Sequence, residues 1–218
     1  MGLGALDQLA VTHAHTPSAV RPFFLTFRGT TYVNPKEAGA GRTRLLDLVH
    51  LSTAAKRIVV AVQCHKIHGE HKLPAYSDRC SAYDEAMRLA PGYTTLLNTT
   101  FALVPGGRQP ASFRLNEVMA VGAIPVFISG DKDTTSPYVL PFDGIIDWGK
   151  FSFHFSWDTP AREIVTALLH VDDNKLNIMC RNMCATLGMT TFGQCSRVTG
   201  FTICLSAVHD VELGVNDV

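Results

Sequence analysis

Two arginines, a serine and a glutamate follow a pair of glycines closely enough to form one binding site. The residues are Gly106, Gly107, Arg108, Ser112, Arg114 and Glu117. The guanidinium group suits phosphate oxygens because it donates from a planar fork, and glycine lets backbone amides approach a ligand closely. If a helix begins at Ser112, its free N–H groups and its dipole also favour an anion. The pattern indicates a phosphate-binding turn.

Glu117 extends this chemistry beyond phosphate. It lies three residues after Arg114, on nearly the same face of a helix, where its carboxylate is placed to accept hydrogen bonds from ribose hydroxyls. Together the residues predict a nucleotide diphosphate site, and the alternative is a structural turn with a surface Arg–Glu pair. Neither the Gly-Lys-Ser/Thr of a Walker A loop nor the dinucleotide motif GxGxxG is present.

The elements around this turn alternate between buried strands and helices. Apolar runs predict strands over 22–27, 57–64, 101–104 and 123–128, and alternating phenylalanines predict one over 151–155. Helical spacing predicts helices over 42–51, 92–98, 112–121, 159–170 and 173–187. We therefore predict an α/β fold, a Rossmann-like parallel sheet with helices on both faces. The glycine turn follows a strand, so it lies at the carboxyl edge, where such sheets bind ligands.

Composition excludes several classes of protein. The 218 residues are 46% hydrophobic and 17% charged, with 19 basic and 19 acidic side chains. No overall charge attracts nucleic acid or an anionic membrane, and no run of about 18 apolar residues predicts a transmembrane span. We predict a flexible arm over 1–20 without the features of a signal peptide, one domain over 21–188, and a divergent tail over 189–218 without regular structure.

The motifs flanking the glycine turn resemble, in order, those of the exostosin family, the family 47 glycosyltransferases. The matching positions are Tyr93, Leu97, Thr100, Phe101, Pro105, Gly107, Ser112, Arg114, Glu117, Pro125, Val126, Leu140, Pro141, Phe142, Asp147 and Trp148. A series of motifs in fixed order, here over roughly 21–170, is far more specific than any one of them. The resemblance implies a GT-B architecture of two Rossmann-like halves, with this chain as the C-terminal, nucleotide-sugar-binding half.

The resemblance also implies an activity and a set of roles. Family members transfer a sugar from UDP, with inversion, to a glycan or glycoprotein acceptor in the Golgi lumen. By position, Arg108 and Arg114 would bind the diphosphate and offset the charge on departing UDP, and Glu117 would bind the ribose. Ser112 and the amides near the two glycines would complete the cradle. No metal or other cofactor is expected, and no catalytic base is assigned.

Four further residues follow from the resemblance. Thr30 and Thr31 stand where the family often has a basic residue, so Arg28 is a candidate substitute for a phosphate contact. Cys64 and Cys80 match a cysteine pair of the family, which implies a disulfide. Asn98 begins the sequon Asn-Thr-Thr before the strand at Phe101, and would carry an N-glycan in the secretory pathway.

Other interpretations remain open. The chain could be a truncated, non-catalytic relic or a UDP-binding partner module, because the N-terminal, acceptor-side half of a GT-B enzyme is not in this sequence. Asp131 and Asp133 could form the metal-binding DxD motif of a GT-A enzyme. Three sets of residues are predicted to be structural rather than metal-binding. They are the buried Cys180 and Cys184, the loop residues His65, His68 and His71, and the core residue His154.

Overall fold

The computed structural model describes residues 21–32, 45–49, 51, 57–65, 83–106, 112, 114–128, 140–189, 194–198 and 201–205. The strands are β1 (Phe23–Tyr32), β2 (Ile58–His65), β3 (Thr99–Pro105), β4 (Ile124–Ile128), β5 (Phe153–Phe155), β6 (Gln194–Val198) and β7 (Phe201–Leu205). The helices are α1 (Leu45–Val49), α2 (83–89), α3 (Tyr93–Leu96), α4 (Arg114–Ala120), α5 (Ala161–Leu169) and α6 (Asp173–Met189), with a 3₁₀ turn at Trp148–Lys150.

Strands β1 to β5 form one parallel sheet in the order β2-β1-β3-β4-β5. The apolar strands β3 and β4 are buried along their whole length, as expected of strands covered on both faces. The strand order reverses between β1 and β3, because β1 leads to β2 on one side and β3 leads to β4 on the other. This arrangement confirms the predicted α/β fold with a Rossmann-like parallel sheet, and such sheets bind ligands at the reversal.

β1 and β3 part at their carboxyl ends. β1 pairs with β3 only as far as Thr26, which lies opposite Ala102. It stays paired with β2 as far as Tyr32, however. We call the place where the second half of β1 diverges from β3 the crevice. The side chain of Arg114, at the start of α4, reaches the backbone of β1 at this crevice.

The core lies against the sheet and is built from regularly spaced apolar residues. Helix α5 buries Ile164, Val165 and Leu168 on one face, each contributing about 1.5–3 kcal/mol if fully removed from water. Helix α6 buries a stripe at heptad-like spacing, formed by Leu176, Met179, Cys180, Met183 and Cys184. Both cysteines are buried as predicted, Cys180 as a thiol, but Cys184 is disulfide-bonded rather than a simple apolar residue.

Arg21 connects backbone segments at the amino edge of the sheet. Its side chain is 3% exposed. Nη1 donates to the carbonyl of Thr99 and Nη2 to that of Val121, each at 2.9 Å. Burial lowers the pKa of Arg21 to about 10, so the guanidinium stays charged at neutral pH. One side chain thus joins the segment before β1 to the start of β3 and to the turn before β4.

Three observations differ from the sequence predictions. Residues 83–89 are helical, where no helix is predicted, and β6 and β7 form an antiparallel hairpin against α6 within the segment predicted to be irregular. His154 is hydrogen-bonded, with Nε2 2.8 Å from Ser152 Oγ, but it is exposed on the edge strand rather than in the core. None of the described helices is long and apolar enough to span a membrane.

Candidate functional site

The guanidinium of Arg114 lies between two aromatic rings at the crevice. Its Cζ is 4.5 Å from the centroid of the Phe27 ring on β1 and 5.0 Å from that of the Tyr93 ring on α3. Its Nη2 donates to the carbonyl oxygen of Arg28. The carbonyl of Ser112 accepts from the N–H of Leu115 at 3.1 Å, which starts helix α4 at the predicted place. The predicted site residues Ser112 and Arg114 therefore lie together at the carboxyl edge of the sheet.

The charge of Arg114 is compensated by ring faces and a carbonyl rather than by an ion pair. Burial lowers the pKa of Arg114, and the neighbouring Tyr93 and Glu117 act in the opposite direction. No carboxylate of the described residues is within ion-pair distance of it. An arginine has five N–H donors, and the described hydrogen bond uses only Nη2. The remaining donors have no hydrogen-bond partner among the described residues.

Glu117 is connected to Arg114 through Tyr93. The phenol of Tyr93 donates to Oε2 of Glu117. Burial raises the pKa of Tyr93, so the phenol keeps its proton at neutral pH and acts as the donor. The predicted alternative, a direct surface pair between Arg114 and Glu117, is not what the described residues form. We name this arrangement the arginine–tyrosine–glutamate cluster, consisting of Arg114, Tyr93 and Glu117.

Gly29 makes room for the cluster. A Cβ at this position would lie 2.8 Å from Cζ of Phe27 and 3.2 Å from Nη2 of Arg114. The first distance is too short for any side chain, so a residue larger than glycine would displace the Phe27 ring and, with it, the guanidinium that rests on it. The sequence shows a glycine here, but only the fold shows what approaches it.

Two predicted ligand-binding groups have hydrogen-bond partners within the protein. The N–H of Gly106 donates to the carbonyl of Ile128 at 3.3 Å, which extends the sheet by one residue. Nη1 of Arg28 donates to three carbonyls at the end of α2 and the following turn. The acceptors are Met87, Ala90 and Pro91, at 3.0, 3.2 and 3.0 Å. Nη1 of Arg28 thus caps α2, and the phosphate contact of Arg28 stays a prediction.

Several predictions concern residues that the structure does not describe. Gly107, Arg108, His68, His71, Cys80, Asp131 and Asp133 lie outside the described residues, as do the side chains of Cys64 and His65. Asn98 is described: it is half-buried, and its Oδ1 is buried without a hydrogen-bond partner. Within the described part of the chain, no group of three His, Cys, Asp or Glu side chains could hold a metal ion.

An acidic cavity of about 290 Å³ lies between α1 and α5, at the carboxyl end of β4. Its lining includes the exposed carboxylates of Asp47 and Asp158, the indole of Trp157 and the end of β4 at Ile128. Two carboxylates repel phosphate. The cavity therefore differs from the arginine–tyrosine–glutamate cluster, which contains a guanidinium as well as a carboxylate.

Comparison with known proteins identifies the family. The model of the Exostosin GT47 domain matches residues 6–169. The chain belongs to the exostosin GT47 family. It is 35% identical over 133 residues to Exostosin-1 of Drosophila melanogaster and 33% identical over 130 residues to the Exostosin-1 homolog of Caenorhabditis elegans. Each match covers 60% of this chain, but only 15% of the fly protein and 31% of the nematode protein. The chain thus spans less than a third of either relative.

The membership confirms the resemblance that the ordered motifs indicate. The arginine–tyrosine–glutamate cluster lies inside the matched range, so these three side chains belong to an exostosin GT47 domain of the glycosyltransferase class. Among solved structures, the catalytic domain of Starch Synthase IV from Arabidopsis thaliana, bound to ADP and acarbose, is similar with a TM-score of 0.42 and 10% identity. That match covers 85% of this chain and 40% of the synthase chain.

Proposed function

We propose that this exostosin GT47 chain is the donor-nucleotide-binding half of a UDP-sugar-dependent glycosyltransferase. One observation carries the proposal: Arg114 and Glu117, on the first turn of α4, lie where β1 and β3 part at the carboxyl edge of the parallel sheet. Strand order reverses at that point, and sheets of this kind bind nucleotides there. A buried cation beside a carboxylate matches the two ends of a ribosyl diphosphate.

The geometry supports a division of roles between the two side chains. Arg114 offers N–H donors that the described residues leave available, and its partly buried setting strengthens a charge-assisted hydrogen bond to a diphosphate. Glu117 has one oxygen engaged by Tyr93, which leaves Oε1 to accept from ribose hydroxyls. Ser112 and Arg108 would complete the phosphate contacts from the turn before α4.

The chemistry follows from the charge of the leaving group. When the glycosidic bond to UDP breaks, negative charge develops on the diphosphate, and a fixed arginine stabilises that charge. Inverting transfer to a glycan or glycoprotein acceptor in the Golgi lumen belongs to the same proposal and is supported by the family. The acceptor site and the base would come from an N-terminal half, across the cleft of a GT-B enzyme.

Titration calorimetry of the full 218-residue chain with UDP tests the proposal. We expect Arg114→Ala to weaken UDP binding by about 1.5–3 kcal/mol, the contribution of a hydrogen bond to a charged group. Arg162→Ala, on the exposed face of α5, is the matched control and should bind as the parent does. Parent-like binding by Arg114→Ala would show that the site is elsewhere.

The same titration distinguishes the proposal from a metal-dependent GT-A enzyme. UDP binding should be unchanged in EDTA, because charge on the diphosphate is balanced by arginine. UDP binding that strictly requires Mn²⁺, and that is lost in Asp131→Ala, would instead support the DxD interpretation.

A further inference from the structure

We infer that Tyr93 is a positioning residue that holds Arg114 and Glu117 in the geometry required to bind the two ends of the nucleotide. The inference rests on the proposed function, since it concerns the same site. Tyr93 touches both side chains: its ring face lies 5.0 Å from the Arg114 guanidinium, and its phenol donates to Glu117. Tyr93 itself is not among the residues predicted to contact the nucleotide.

The helix that carries Tyr93 is fastened to β1. Helix α3 is a single turn, which is too short to be stable by itself. Two side chains of β1 fix it at both ends. The hydroxyl of Thr26 donates to the carbonyl of Leu96 at 2.8 Å, and Arg28 donates to that of Pro91 at 3.0 Å. The position of the Tyr93 ring is therefore set by the strand whose carboxyl end lines the crevice.

Tyr93 also explains why Arg114 and Glu117 do not form a direct ion pair. Arg114 and Glu117 are three residues apart on one helix, a spacing at which oppositely charged side chains form direct pairs. Such a pair would engage both groups and withdraw them from a ligand. The Tyr93 ring instead supports the guanidinium, and its phenol engages one carboxylate oxygen. The remaining donors of Arg114 and Oε1 of Glu117 have no hydrogen-bond partner among the described residues.

Two substitutions separate the functions of the ring and the hydroxyl. Tyr93→Phe keeps the ring under Arg114 but releases Glu117, so UDP binding should weaken about tenfold, while binding of inorganic pyrophosphate, which has no ribose, should weaken by less. Tyr93→Leu removes both contacts and should weaken both ligands. Tyr83→Phe, a phenol removed from α2, is the control and should change neither. Glu117→Gln should resemble Tyr93→Phe.

The outcomes are distinguishable by calorimetry, with circular dichroism confirming that each variant is folded. UDP binding by Tyr93→Phe that equals the parent's overturns the inference alone, as does an equal loss for UDP and pyrophosphate, which would indicate a general structural role. A parent chain that binds neither ligand overturns the proposed function and the inference with it. If Tyr93→Leu does not fold, Tyr93→Phe alone decides the question.

Discussion

Two buried arginines lie at opposite edges of the same sheet and have different surroundings. Arg21, at the amino edge, is almost fully enclosed, and both terminal nitrogens donate to backbone carbonyls. Arg114, at the carboxyl edge, is partly buried and donates to one carbonyl while its face rests on Phe27 and Tyr93. In both residues burial lowers the pKa of the guanidinium.

The difference separates a cation that builds the fold from one suited to a ligand. Desolvating a charge is costly, and hydrogen bonds must offset the cost. At Arg21 two carbonyls supply that compensation inside the protein. At Arg114 one carbonyl and two ring faces compensate less of the desolvation cost. An anionic ligand would supply the remaining compensation. Arginine thus stabilises the fold at the amino edge and, as we propose, binds a ligand at the carboxyl edge.

The largest effect should follow removal of the guanidinium at the amino edge. Arg21→Met leaves the carbonyls of Thr99 and Val121 buried without a donor, so we expect the free energy of unfolding to fall by about 2–6 kcal/mol. Urea denaturation followed by circular dichroism measures it. Under conditions where the variant is folded, its UDP affinity should equal the parent's. A variant as stable as the parent would show that the hydrogen bonds of Arg21 do not stabilise the fold.

The opposite pattern is expected at the carboxyl edge. Arg114→Met should weaken UDP binding by about 1.5–3 kcal/mol. Its free energy of unfolding should change by less than about 1 kcal/mol, because the substitution also removes a costly buried charge. Calorimetry and urea denaturation on one preparation give both values. A loss of stability as large as that of Arg21→Met, with UDP binding retained, would mean that Arg114 is a structural residue as well.

A smaller effect is expected where β1 approaches Arg114. Gly29→Ala places a methyl group against Phe27 and the guanidinium, and such overpacking costs about 1–3 kcal/mol of stability. UDP binding should weaken as well, because Arg114 is displaced. Gly144→Ala is the control, since nothing lies within 4 Å of its added Cβ. If the two variants behave alike, close contact at Gly29 is not what positions the cluster.

The smallest effect on the site should come from a glycan at Asn98. This residue precedes β3 at the amino edge, away from the crevice, so an N-glycan should leave UDP affinity unchanged. Expression behind a supplied signal peptide, followed by endoglycosidase treatment, should give a mobility shift that Asn98→Gln abolishes. A secreted chain without the shift would show that Asn98, whose Oδ1 is buried, is not accessible to the transferase.

Strands β2 to β5 were predictable because their signal is local, whereas β1 continues to Tyr32, five residues beyond its predicted end. The continuous apolar runs before Gly106 and Ser129 place β3 and β4 within one or two residues of their observed bounds. Helix α2 gives a weak signal, since it combines charged residues such as Glu85 and Arg88 with the exposed Leu89. The irregular, threonine-rich composition after Met189 likewise gave no sign of β6 and β7.

The partners of the site residues were not predictable, because they are distant in sequence. Tyr93 meets Glu117 across 24 residues, and Arg114 meets the carbonyl of Arg28 across 86. Spacing along one helix placed Arg114 and Glu117 on one face correctly. It could not show that an aromatic ring joins them, or that Arg28 is engaged by the end of another helix. Those contacts depend on the three-dimensional packing of α2, α3 and α4 against the sheet.

Amide chemical-shift mapping of the ¹⁵N-labelled chain during a UDP titration locates the nucleotide on the fold. If the nucleotide binds where β1 and β3 part, the largest shifts will be at Gly29, Gly106 and Leu115, around the arginine–tyrosine–glutamate cluster. The amides that line the acidic cavity, such as Asp158 and Ala161, will change little. If the largest shifts are at those cavity residues and the cluster is unperturbed, UDP does not bind where β1 and β3 part.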